Sequence, residues 1–272
     1  MYKIGLSTAG KIISEDLFKN CKESGIELIE LSTRPEEYMR IDYGQLLCWS
    51  REYGVKLWSM HLPFYPFEKI DFSNPEISKK SIEDSVELIK KGADIGIDKY
   101  IVHPSAEPIP EEFRSERLLC ARESLSELAE KVKPLGAVIA VEDLPRTCLG
   151  NCSDEIQYIL DGNPRLMACL DTNHLLKESV EDFILKIGNR IITTHISDCD
   201  LSDERHWLPG EGKLNWKNIY DNLSQMGYTG GWIYELGFAS PKSMPRSRAL
   251  NCRDFANNAN EIFFNKNITL IK

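Results

Sequence analysis

The sequence predicts a single (β/α)8 barrel spanning residues 1–272. Three observations carry this. Eight short apolar runs of strand length recur along the whole chain, segments of helical period lie between them, and a glycine stands where most helical segments give way to the next strand. Short apolar strands buried on both faces imply a parallel sheet, and eight right-handed βα units close most economically on themselves. A doubly wound open sheet would want a glycine-rich turn after the first strand. That turn reads STAGKI, with one glycine and no G-x-G-x-x-G spacing.

Taken in order, the strands are expected at Lys3–Ser7, Glu27–Leu31, Lys56–His61, Tyr100–His103, Val138–Glu142, Met167–Asp171, Ile191–Ile196 and Trp232–Leu236. Helical period is clearest over Ser78–Gly92, with apolar residues at Ile82, Val86, Leu88 and Ile89, and over Glu112–Val132, Val180–Ile187 and Trp216–Met226. Gly25, Gly54, Gly96, Gly136, Gly188 and Gly227 fall between helix and strand, where a left-handed cap costs a residue without Cβ least. The loop after the third strand, Leu62–Lys79, carries three prolines and four aromatic rings, Phe64, Tyr65, Phe67 and Phe72. Together with Pro104–Pro110 it is the kind of long loop that grips a substrate at the C-terminal mouth of a barrel.

With 272 residues, 42% of them hydrophobic, the chain can close one large core without covalent staples. Its net charge of −9 leaves no electrostatic footprint for nucleic acid or an anionic membrane, which disfavours both partners. Eight cysteines are scattered without a C-x-x-C pair, and neither a signal-like stretch nor an apolar segment of ~20 residues is present. A reduced, cytoplasmic enzyme is therefore expected. Cys148 and Cys152 read as two free thiols, and Cys169 as a small core residue.

His61, His103, His174 and His195 sit at or just beyond the end of an apolar run, and His206 follows in a loop. Glu142, Asp171 and Glu235 terminate such runs as well. Because the last residues of barrel strands face one mouth, Glu142, Asp171, His195 and Glu235 come together from four successive strands. Three carboxylates and an imidazole suit one divalent metal ion, Mn, Mg, Co or Zn, and ligand type alone does not choose among them. Any one of these acids could as readily cap a helix or pair with a base; four on consecutive strands make that reading poor. No organic cofactor is called for. The glycines of P-G-E-G (209–212) either offer phosphate-binding amides or turn the chain into a helix near Asn215.

The segments IAVEDLP (139–145), CLDTNH (169–174), THISDCD (194–200), RHWLPGEG (205–212) and GWIYEL (231–236), with HLPF (61–64) and VHPS (102–105), resemble the xylose isomerase-like TIM-barrel superfamily. That superfamily holds sugar and sugar-phosphate isomerases and epimerases and the apurinic endonucleases of the endonuclease IV type. The resemblance spans nearly the whole barrel. It implies a single-metal site at Glu142, Asp171, His195 and Glu235, with His174, Arg205 and His206 contacting substrate. For His174 the alternative is a helix-start histidine bonded to backbone, and for Arg205 a solvated loop cation.

Under the isomerase reading, Glu142 and Glu235 are the catalytic pair. One abstracts a proton α to a ketone, the other returns it on the opposite face, and a metal-stabilised enediolate lies between. His61 and His103 are then substrate-hydroxyl contacts or core-edge histidines. Under the endonuclease reading a three-zinc cluster takes His61 and His103 beside Glu142, then His174 and His206. Against it stand Glu204-Arg205-His206, where that family has Asp-x-His, and the lack of a basic, aromatic-interleaved stretch to hold a kinked duplex. Dehydration of a keto-polyol would use the same metal and the same proton abstraction. A non-catalytic binding barrel would lose one of the paired glutamates, and both are present. The expectation is thus a metal-dependent sugar or sugar-phosphate isomerase or epimerase acting on a small carbohydrate, with assembly into a homo-oligomer left open.

Overall fold

A computed structural model of the chain describes residues 1–66 and 69–271. Eight parallel strands close into a barrel in chain order: β1 (Lys3–Ser7), β2 (Leu28–Leu31), β3 (Lys56–His61), β4 (Lys99–Val102), β5 (Val138–Glu142), β6 (Met167–Asp171), β7 (Ile191–Ile196) and β8 (Gly231–Tyr234). β8 pairs back onto β1 through Lys3 opposite Gly231 and Leu6 opposite Tyr234. The (β/α)8 barrel read from the sequence is therefore the architecture of the chain. Outside it lie α1 (Glu15–Ser24), α2 (Pro35–Tyr38), α3 (Tyr43–Tyr53), α4 (Ser78–Asp94), α5 (Arg114–Val132), α6 (Ser153–Leu160), α7 (Val180–Ile187), α8 (Trp216–Gln225) and α9 (Cys252–Phe263). No described helix is long and apolar enough to cross a membrane.

Local chemistry sets the helix ends. Ser14 and Ser179 accept from the backbone N–H of Leu17 and Asp182 to start α1 and α7. At α9, Asn251 and Asp254 form a capping box. All six cap glycines have positive φ, from 57° to 87°. At Gly188 ψ is −127°, so this one is not the left-handed helical cap expected. Two strands end earlier than their hydrophobicity indicates: β4 stops at Val102 and β8 at Tyr234, which puts His103 and Glu235 one residue beyond the ladder. Apolar character continues there because the mouth is walled by packed loops. Phe67 of the long loop after β3 lies outside the described residues.

The main core fills the space between barrel and helices, with Phe18, Ile29, Tyr100, Phe183, Trp232 and Phe255 buried there. Inside the barrel, strand alternation places every second residue on the inner face. Two residues before His103, Glu142 and Asp171 stand Ile101, Ala140 and Cys169, and these three form a separate buried cluster. Cys169 is thus the core residue expected, and the polar strand ends rest on an apolar floor.

Candidate active site

Glu142, Asp171, His195 and Glu235 converge at that floor. One ligand atom from each lies within 4.8 Å of all the others. His195 Nδ1 is the hub, 2.7 Å from Glu142 Oε1, 3.2 Å from Glu235 Oε2 and 4.0 Å from Asp171 Oδ2. Register explains the meeting: Asp171 is paired directly with His195 across β6 and β7. Asp171 Oδ2 is buried with no hydrogen-bond partner, an arrangement that costs free energy when nothing compensates it. Burial pushes the Asp171 carboxyl up to about 6, while His174 beside it pulls the other way. Glu142 is also opposed by burial, yet His195, His103 and His61 around it hold it well below the usual carboxylate range. Three carboxylates around one imidazole nitrogen, one oxygen orphaned, form a donor set that fits a divalent cation.

Glu142 uses its second oxygen elsewhere. His61 Nε2 and His103 Nε2 lie 3.0 and 3.1 Å from Glu142 Oε2. His61 Nδ1 is 2.8 Å from the Leu62 carbonyl. A carbonyl only accepts, so that nitrogen carries a proton. His61 Nε2 can then donate to the Glu142 carboxylate only as an imidazolium. Burial works against the charged form of His61, but Glu142 more than offsets it and the histidine is raised; at His103 burial prevails and lowers it.

His174, Glu204 and His206 make a third group, their ligand atoms again within 4.8 Å. His174 Nδ1 donates to the Asp143 carbonyl at 2.8 Å and His206 Nδ1 to the Glu235 carbonyl at 3.0 Å. His174 Nε2 stands 3.3 Å from Glu204 Oε2. Glu204 is held down at about 2 by His174 and by Arg146, whose guanidinium also pairs with Glu107 and Asp203.

A cavity of about 1150 Å³ opens above these groups. His61, His103, Glu142, His174, His206 and Glu235 line it. Asp171 and His195 lie beneath, and both are fully buried. Arg205 is not in the lining: its Nε pairs with Asp200 at 2.9 Å and Nη2 reaches Ser202, so the solvated-loop alternative describes it better than substrate contact. The lining arginine on that side is Arg146. The P-G-E-G loop likewise presents no free cradle, because Gly210 N donates to the buried Asp198 carboxylate. Asp198 also accepts from Cys199 N, Leu214 N and Trp216 Nε1. A Cβ at Gly212 would lie 2.2 Å from Asp198 Oδ1, which accounts for that glycine.

Sequence reasoning passed over Asp198, Arg146 and Glu30. Glu30 is fully buried in β2, 3.0 Å from His195 Nε2. It stands near the end of an apolar run, I-E-L, as Glu142 stands in V-E-D, so the same signal was available.

The family described as Xylose isomerase-like TIM barrel matches residues 18–250. A fructoselysine 3-epimerase of Escherichia coli O157:H7 is 29% identical over 120 residues, 42% of this chain. The aligned stretch covers 44% of that enzyme's length. An uncharacterised protein of Methanocaldococcus jannaschii is 27% identical over 63% of this chain and 61% of its own. Among solved structures, an L-ribulose 3-epimerase superposes with a TM-score of 0.79 at 19% identity, covering 97% of this chain and 94% of the other. A D-tagatose 3-epimerase-like protein gives 0.78 at 22%, covering 97% and 96%. At these identities the structural likeness concerns the fold. The match over residues 18–250, on a closed eight-stranded barrel, places the chain in the xylose isomerase-like TIM-barrel family.

Proposed function

We propose that this protein is a divalent-metal-dependent epimerase or isomerase of small keto-sugars. The observation that carries the reading is the convergence of Glu142, Asp171, His195 and Glu235 within 4.8 Å at the floor of a cavity large enough for a substituted sugar. These four residues would hold the ion. A divalent ion there supplies positive charge to the carbonyl and neighbouring hydroxyl oxygens of the substrate, making the α-proton more acidic. Glu142 and Glu235 arrive from different sides of the barrel, with one oxygen each in reach of His195 Nδ1. One carboxylate takes the α-proton and the other delivers a proton to the opposite face, which inverts the carbon. His174 and His206 line the same cavity as Glu235 and would bind substrate hydroxyls there. The relatives named as 3-epimerases of ketoses favour inversion at the carbon next to the carbonyl, the position this chemistry reaches.

The test is incubation of Mn²⁺-loaded protein with a ketose panel in deuterated water. Deuterium is expected at the α-carbon of one ketose together with its epimer, and both are expected to be lost in Glu235→Gln. Release of water instead of an epimer would assign a dehydratase. No exchange with any ketose would overturn the reading.

A second reading is favoured by one observation. His61, His103 and Glu142, and separately His174, Glu204 and His206, form two more groups of ligand geometry on either side of the first. Such a chain of groups suits a multi-zinc site and phosphodiester hydrolysis. Zinc titration separates the two, since one equivalent supports the epimerase and three the hydrolase.

A further inference from the structure

Three of the five histidines are oriented alike. His61, His174 and His206 each turn Nδ1 to a backbone carbonyl, which leaves Nε2 facing the site. His195 is turned the other way. Its Nδ1 faces Glu142 and Glu235, while Nε2 points back toward β2 and stands 3.0 Å from Glu30 Oε1. Both residues are fully buried. Ser59 Oγ donates to Glu30 Oε2 at 2.8 Å, and Oε1 has no aligned donor. The His195 N–H is close to that oxygen but off its line, so the two atoms are in contact without an ideal hydrogen bond. Among the described residues His195 is the one ion-pair partner of Glu30. A carboxylate placed in a barrel interior is costly unless a specific partner offsets its desolvation. Among the described residues the partner that can offer a charge at contact distance is the imidazole.

We infer that Glu30 is the positioning residue of His195. Standing 3.0 Å from Nε2, its carboxylate favours the proton on that nitrogen, the tautomer that leaves the Nδ1 lone pair for an ion held among Glu142, Asp171 and Glu235. The partner of one ring nitrogen decides what the other can do, and a carboxylate partner raises the donor strength of the imidazole above what a carbonyl achieves. His195 thereby differs from the three histidines backed by carbonyls, and it is the histidine at the centre of the four-residue group. The ring also stacks at 15° on His61, 5.7 Å between centroids, which limits its swing. This inference rests on the metal-site reading proposed above.

Co²⁺ binding to the whole protein tests it, measured by competition with a chromogenic chelator and by the visible spectrum of the bound ion. Glu30→Ala is expected to weaken Co²⁺ about 10–100-fold and to shift the absorption bands. Glu30→Gln keeps an acceptor oxygen without the charge and is expected to fall between Glu30→Ala and wild type. A merely space-filling role would alter the melting temperature of the metal-free protein and leave affinity and spectrum unchanged; that result in either folded variant overturns the inference. Where Glu30→Ala fails to fold, the isosteric Glu30→Gln decides alone. If wild type takes up no Co²⁺, the metal-site reading falls with it, whereas wild-type binding with unaltered variants removes Glu30 alone.

Discussion

Glu142 and Glu235 look equivalent as strand-end acids, but their surroundings differ. Glu142 is fully buried, with one oxygen facing His195 and the other facing His61 and His103. Glu235 stands partly in the cavity, its side chain 12% exposed. Converting either to Gln removes a proton acceptor and is expected to lower turnover by about 10²–10⁴-fold. The stability effects should diverge. Glu142→Gln removes a buried charge that faces His195 on one side and His61 and His103 on the other, so it should also cost on the order of 1–3 kcal/mol in urea denaturation. Glu235→Gln should leave the midpoint close to wild type. Equal destabilisation of the two variants, or retained turnover in both, would contradict the assignment. Asp171→Asn probes the orphaned oxygen: metal analysis of the purified variant should find less bound ion than in wild type, and an undiminished complement would remove Asp171 as a ligand.

Among the elements, the segment between β7 and α8 is organised by Asp198, whose carboxylate collects Cys199 N, Gly210 N, Leu214 N and Trp216 Nε1. This loop also delivers Glu204 and His206. Asp198→Ala strands buried donors and is expected to cost about 3 kcal/mol, read as a lower urea midpoint at unchanged slope. At α9 the prediction concerns pH. Arg248 beside Asp254 holds that carboxyl below its ordinary value, with the capping contact to Asn251 N adding to the effect. A depressed carboxylate contributes stability that is present in full above its unfolded pKa, roughly 3.9, and disappears as pH falls through the lower folded value. Asp254→Asn should therefore melt earlier at pH 6, by the equivalent of about 1 kcal/mol, and the gap should narrow only below about pH 4. A gap independent of pH from 6 to 3 would show that the charge plays no part. Strands and cap glycines were legible because periodicity and backbone strain are local. The meeting of Glu142, Asp171, His195 and Glu235 was legible because barrel closure turns strand ends into neighbours. Asp198 and Arg146 were not, since what they do depends on partners in loops, and Arg205 looked functional only while Asp200 could not be placed beside it.

The balance of charge over the whole molecule bears on which reaction this barrel performs. A nuclease of duplex DNA must neutralise several phosphates, and this chain carries −9 with no basic stripe in its sequence. Of the three arginines that line the cavity, Arg34, Arg40 and Arg146, the one beside Glu204 is Arg146, and its charge is matched by Glu107, Asp203 and Glu204. The cavity instead has the mixed polar and apolar lining of a small-ligand site, with Phe64 stacked on His103 at 4.3 Å beside the clustered acids and histidines. Against this, three nested histidine and carboxylate groups are more than one ion needs. An abasic-duplex nicking assay with zinc-loaded protein at low salt puts the question where electrostatic affinity for DNA is at its greatest. The expected result is no cleavage, alongside deuterium uptake into a ketose that vanishes in Glu235→Gln. Efficient nicking that disappears in both His103→Ala and His206→Ala would reverse the assignment, because those two histidines belong to the outer groups, which a single ion does not use as ligands.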